Sequence, residues 1–330
     1  MGNRNSKLGL RLVFVGTLVC ACGVWACGGP AAGTATPAPA DDPLAEDSEA
    51  GAVSDGEKAI QAGDFAKAKE ILSGVVSRQP NHAKACYLLG VALENLGDPT
   101  GAEQQYRKAI SLSPDLTEAV LNLTAFLVDA QRFEEAEKIL VEATRRHPRD
   151  PDLHINLGYA RLDQNNLSGA RQAFDAALAI SDTPSVRLGL AELQLRAKQP
   201  DVAIPHIRSA KDRSSADVDI LVQCADKFRR AGAPELCVDA LDGAIKLRPI
   251  AELYVSRGTC KVMNKDTAGA RADYEKAISI EPGNAPAHFQ YGRFLLQVEQ
   301  NKAGAIKEFE TCARLAPQSD CQQWVERARK

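Results

Sequence analysis

Aromatic residues make up only 5% of this 330-residue chain, although 45% of it is hydrophobic. Strands favour aromatic and β-branched side chains, whereas small apolar residues in their place suit closely packed helices. An excess of either charge is missing too, with 40 Lys and Arg facing 43 Asp and Glu. Gripping a phosphate backbone takes a concentrated basic face, so nucleic acid is excluded as the main partner. Motifs that carry chemistry are equally scarce. There is no G-x-x-x-x-G-K-[ST], no G-x-G-x-x-G opening a helix and no G-x-S-x-G elbow. His82, His147, His154, His206 and His288 are scattered, with no H-E-x-x-H and no zinc spacing to cysteine. His82 and His147 fall at turns, where capping or solvated roles are ordinary. We therefore expect a binding protein rather than an enzyme, with no catalytic residues, metal or cofactor.

Long apolar runs are lacking as well. The stretch Leu12 to Ala26 spans roughly 15 residues, short of the roughly 20 that cross a bilayer as a helix. Arg4, Lys7 and Arg11 precede it, which is the layout of a secretory signal peptide. Its end, Val24-Trp25-Ala26-Cys27-Gly28-Gly29, resembles the bacterial lipobox. That resemblance implies cleavage after residue 26 and a lipid-modified Cys27. Trp25 is bulky for its place, so Cys22 in Val19-Cys20-Ala21-Cys22 is a rival site. Without the leader, 37 basic residues face 43 acidic ones, so membrane attachment would come from acyl chains and not from charge. No Asp follows Cys27, which by lipoprotein sorting rules implies an outer-membrane protein facing the periplasm. The inner membrane and the cell surface stay open. Residues 27–50 are rich in Ala and Pro, with Pro30, Pro37, Pro39 and Pro43, and read as a disordered, semi-stiff tether.

What is abundant is repetition, with a period of about 34 residues. The clearest unit carries Leu89-Gly90, Leu93, Gly97, Ala102, Tyr106, Ala109-Ile110 and Pro114. Later units repeat the pattern through Leu157-Gly158, Ala170 and Phe174, then Gly258, Ala270 and Tyr274, then Tyr291-Gly292, Ala305 and Phe309. Apolar residues three and four apart make one buried stripe per helix. Gly90, Gly158, Gly258 and Gly292 sit where paired helices approach most closely, facing Ala102, Ala136, Ala170 and Ala270. Pro80, Pro114, Pro148, Pro249, Pro282 and Pro317 stop second helices, whereas Pro99, Pro200 and Pro234 fall in first turns.

This spacing resembles the tetratricopeptide repeat, a helix–turn–helix unit. The resemblance implies an all-α solenoid of about eight units over residues 51–319, with a capping helix at 320–330. The unit at 184–217 is weakest, because Ser215 replaces the terminal Pro and Pro205 falls inside a helix. It reads as a kink absorbed by its neighbours or as a flexure dividing the array.

In such arrays the first helices line a concave groove. By resemblance to peptide-binding members, Asn122 and Asn156 lie there, with Gln223, Ser256 and Gln290 at the equivalent later places. Their amides suit an extended peptide backbone, and Tyr87, Tyr159 and Phe289 could supply apolar pockets. The Lys/Asn/Arg set that clamps a terminal carboxylate in cochaperone members is not matched, since Asp152 would repel that group. In an oxidising compartment Cys312 could pair with Cys321, and Cys224 with Cys237. The reading is a lipid-anchored envelope scaffold that holds a protein or peptide partner. A pilotin-like or motility-machine lipoprotein assisting type IV pilus or secretin assembly is one alternative. An accessory factor of cell-wall enzymes is another.

Overall fold

The computed structural model describes residues 43–330, so the leader, Cys27, Cys22 and most of the tether lie outside the described residues. The described elements are all helices, and they fall into two compact units that divide between Asn165 and Asn166. The first unit holds α1 (Pro43–Gln61), α2 (Phe65–Arg78), α3 (Ala83–Asn95), α4 (Pro99–Leu112), α5 (Thr117–Asp129), α6 (Phe133–Arg146) and α7 (Pro151–Asp163). The second holds α8 (Leu167–Ile180), α9 (Pro184–Arg196), α10 (Pro200–Arg213), α11 (Val218–Arg230), α12 (Pro234–Leu247), α13 (Ala251–Met263), α14 (Thr267–Ile280), α15 (Ala285–Gln297), α16 (Lys302–Leu315) and α17 (Cys321–Arg329). Among the described residues no helix is long and apolar enough to cross a membrane.

Proline marks both ends of these helices. Pro80, Pro114, Pro148, Pro249, Pro282 and Pro317 each follow directly on a C-cap residue, where a helix cannot continue. Pro99, Pro200 and Pro234 open α4, α10 and α12, in first turns whose N–H groups have no intrahelical partner anyway. Asp64, Asp98, Asn166, Asp266 and Asn301 cap second helices by accepting a backbone N–H, and His82 does the same for α3 through Nδ1.

Within each unit the first helices of successive pairs touch one another, α1 with α3 and α5 with α7, then α9 with α11 and α13 with α15. At the crossings, Ala68, Ala102, Ala136, Ala203, Ala270 and Ala305 are fully buried. Gly90 shows why the site is small: a Cβ there would lie 2.6 Å from the Tyr106 ring and 3.3 Å from the Ala102 carbonyl.

Two expectations need revision, and a choice left open at Pro205 narrows. Helix α1 starts at Pro43 rather than near 51, since proline is tolerated in a first turn and no breaker precedes Gly51. Pro205 does not interrupt α10, which runs unbroken from Pro200 to Arg213. Pro205 is exposed, so water can satisfy the carbonyl that its ring frees, and the compact units divide at Asn165 instead of in this repeat. Cys237 is bonded to Cys260, not to Cys224, with a Cα separation of 6.0 Å. Cys224 instead turns towards α10, its thiol 3.7 Å from the Ile207 carbonyl, and burial pushes that thiol up to about 12. Cys312 is bonded to Cys321 at 5.9 Å between Cα atoms, joining α17 to α16.

Candidate functional site

The candidate residues of the first unit lie on α3, α5 and α7. Tyr87 is half-buried, with its ring centroid 6.2 Å from that of Tyr106 on α4. The Tyr106 hydroxyl donates to Glu94 Oε2 at 2.7 Å, and the Asn122 side chain lies beside both tyrosines. Burial, helped by the Glu118 charge, pushes the Tyr87 phenol up to about 12, and burial beside Glu94 raises that of Tyr106 as well. Both phenols stay neutral at neutral pH, so this cluster is made of neutral polar groups gathered beside one carboxylate.

Asn156 is half-buried on α7, and its Nδ2 donates to the Asp152 carbonyl at 2.9 Å. Burial and neighbouring Asp150 raise the Asp152 carboxyl. By resemblance the two Asn belong to a groove open to a peptide. Both are half-buried, and the Asn156 amide is engaged because the turn behind it brings a carbonyl within reach. Tyr159 is only 6% exposed and offers no open pocket.

In the second unit Gln223 on α11 is half-buried and Ser256 on α13 is exposed. Phe289 on α15 packs 6.0 Å from Phe309 and edge-on 5.7 Å from Trp324, so it joins the last repeat to α17 instead of facing a ligand. Gln290 Oε1 accepts from Arg293 Nη1 at 3.4 Å.

Sequence reasoning passed over two charged clusters here. Glu192 on α9, 7% exposed, accepts from Lys227 Nζ at 2.7 Å and from Arg230 at 2.6 and 2.8 Å. Burial works against its charge, yet the Arg230 hydrogen bonds and the Lys227 ammonium outweigh it and hold the carboxyl well below the usual range. Asp273 on α14, 3% exposed, accepts from Arg257 at 2.5 and 2.9 Å, with Lys261 Nζ at 2.9 Å. A usable signal existed for the first: Lys227 follows Glu192 by about one repeat, on the next first helix. Among the described residues no group of three or more His, Cys, Asp or Glu could hold a metal ion. His147 reaches Asp115 at 3.1 Å, and His288 sits between Glu308 and the Pro282 carbonyl.

Comparison with known proteins bears on this arrangement. Residues 56–116 and 127–184 match one tetratricopeptide repeat model and residues 251–284 another. The chain is 28% identical over 143 residues to the type IV pilus assembly protein PilF of Pseudomonas aeruginosa, covering 42% of this chain and 57% of PilF. It is 30% identical over 156 residues to cellulose synthase operon protein C of Xanthomonas axonopodis pv. citri, covering 44% of this chain and 10% of that protein. The chain thus spans less than two thirds of either relative. A tetratricopeptide repeat protein from Parabacteroides merdae superposes with a TM-score of 0.56 at 19% identity, over 76% of this chain and 99% of the other. Helix pairs of this length, small residues at their crossings, and these matches lead to one conclusion: the chain carries tetratricopeptide repeats in both of its compact units.

Proposed function

We propose that the chain is a lipid-anchored scaffold of the bacterial envelope that holds a partner protein against its first helices and assists assembly of an envelope complex of the type IV pilus kind. The observation that carries this reading is the likeness to PilF over 143 residues, joined to the lipobox-like Val24-Trp25-Ala26-Cys27. Tetratricopeptide folds bind protein or peptide partners, and a scaffold needs no catalytic set. Half-buried Tyr87, Asn122 and Asn156 are the contact candidates of the first unit, with Gln223 and Gln290 those of the second. The Asn156 amide is already bonded to the Asp152 carbonyl, so a partner would exchange a bond there, whereas Gln290 uses only its carbonyl and keeps its N–H groups.

The test has two arms. Cys27→Ala should abolish acyl labelling and move the protein out of the membrane fraction. Labelling that survives there but is lost in Cys22→Ala would shift the anchor, and labelling lost in neither would remove it. Affinity isolation from gently solubilised membranes should then recover a pilus or secretin component, and an exclusively cytosolic set of partners would overturn the envelope role. A second reading, an accessory to cell-wall or polysaccharide enzymes, draws on the Xanthomonas relative. It would be favoured by recovery of a synthase or hydrolase instead.

A further inference from the structure

The last repeat and α17 present two arginines that are in no ion pair among the described residues. Arg293 lies on α15, three residues beyond Gln290, and Arg327 lies on α17. The Arg293 guanidinium carbon is 6.0 Å from the Phe289 ring centroid and 5.6 Å from that of Trp324. Arg327 stands over the same Trp324 ring at 4.9 Å. Among the described residues neither guanidinium has an Asp or Glu oxygen within 4 Å, whereas their neighbours do: Arg329 pairs with Glu310 at 2.7 Å, Arg271 with Glu299, and Arg257 with Asp273. The Nε of Arg293 is buried without a hydrogen-bond partner, and the one bond of its guanidinium is the 3.4 Å contact to Gln290. A guanidinium carries five donors, so nearly all of its capacity is unused. Aromatic faces offset part of the cost of holding a cation away from water, but they accept no hydrogen bond in the plane of the fork.

We propose that this end of the second unit receives a carboxylate side chain from an acidic segment of the partner. The planar fork of Arg293 matches a carboxylate in two-pronged fashion, and the Phe289 and Trp324 rings hold that fork in place before the ligand arrives. Gln290, whose carbonyl is turned to Arg293, keeps its amide N–H groups to donate. Arg327 adds a second cation at the same ring. The unit as a whole has a small excess of the matching sign, since residues 166–330 hold 24 Lys and Arg against 21 Asp and Glu. The inference rests on the scaffold reading and adds the partner's chemistry to it.

Trp324 is its own reporter, because the only other tryptophan is Trp25. The full chain is titrated with an acetylated, amidated peptide of alternating Glu and Ser while fluorescence is followed, with Trp324→Phe marking the signal's source. A saturable change is expected that weakens with salt and is absent for the Gln-for-Glu peptide. Arg293→Gln should lower affinity by about tenfold or more, as expected for losing a two-pronged charged contact. Arg293→Lys, which keeps the charge and loses the fork, should fall between, and Arg329→Gln should bind as the parent does. Circular dichroism melts check that each variant is folded. A folded Arg293→Gln that binds unchanged, no response to the Glu peptide at low salt, or a response to inorganic phosphate alone would each overturn the proposal. None of these touches the scaffold reading, which fails separately if membrane isolation yields no envelope partner.

Discussion

Residues 43–165 contain 13 Lys and Arg against 20 Asp and Glu, whereas residues 166–330 contain 24 against 21. The two units also fill the space beside their first helices differently. The first unit uses neutral groups, with Tyr87, Tyr106 and Asn122 arranged around Glu94. Its ion pairs are half-buried at most, as in the square of Glu103, Arg107, Arg132 and Glu135 and in Arg161 with Glu137. The second unit places Glu192 and Asp273 inside, the first facing Arg196, Lys227 and Arg230 and the second facing Arg257 and Lys261. One backbone repeat thus accepts two kinds of filling. Neutral bonds can be lost one at a time, at about 1 kcal/mol each. A buried pair cannot be halved so cheaply, because the abandoned charge has no water to turn to.

The largest expected effect breaks this comparison at its centre. Asp273→Ala strands Arg257 and Lys261, whose side chains are each 18% exposed, and should cost about 3–5 kcal/mol. Arg257 keeps its bond to Asp242 at 2.7 Å, which favours the lower end. Tyr106→Phe removes one hydroxyl donated to Glu94 and should cost about 1 kcal/mol, because Glu94 is only half-buried and can turn to water. Urea unfolding of both variants decides the matter. Equal losses would mean that the charged filling is no more demanding than the neutral one.

Acid sharpens the contrast. The Glu192 carboxyl titrates lower in the folded chain than the ordinary 4.5 of the unfolded one. Its contribution is therefore fully present above the unfolded value and declines as pH falls through 4.5 towards the folded value. Other carboxylates titrate in the same range, so the informative quantity is the stability gap between the parent and Glu192→Gln. That gap should be widest near neutral pH and narrow steadily below 4.5. A gap that stays constant down to pH ~3 would show that Glu192 is not ionised against Lys227 and Arg230.

The extent to which these features could be read in advance follows from their range. Pro114, Pro148 and Pro249 act within their own turn, and so they marked helix ends correctly. Ala102 and Gly90 act between paired helices at a fixed spacing, which repetition exposes. Cys237 could reach either α11 or α13, and spacing alone could not choose between Cys224 and Cys260. Asn122 was placed on the right helix, but its contacts with Tyr87 and Tyr106 depend on side chains of the preceding repeat. Arg293 gave no signal at all, since a single arginine on a helix is ordinary until α17 brings Trp324 over it.

The smallest expected effect concerns turns, where the units should behave alike. The turn after each first helix holds one residue at positive φ: Gly63 at 75°, Gly97 at 79° and Gly232 at 71°, but Gln131 at 60°, Asn165 at 59°, Lys198 at 58°, Lys265 at 61° and Gln300 at 56°. A side chain at such an angle crowds the backbone, and glycine does not. Gln131, Lys198 and Lys265 are exposed, so removing their side chains sacrifices little packing. Replacement by Gly also loosens the unfolded chain, which opposes the gain. The relieved strain, of order 1 kcal/mol or more, should win and leave Lys198→Gly and Lys265→Gly each more stable by about 0.5 kcal/mol. Gln131→Gly in the first unit should gain the same, because the benefit belongs to the turn and not to the filling beside it. Thermal melts of the three variants measure this directly. A gain in one unit with a loss in the other would mean that the turns answer to their surroundings, and that the two units differ in backbone as well as in filling.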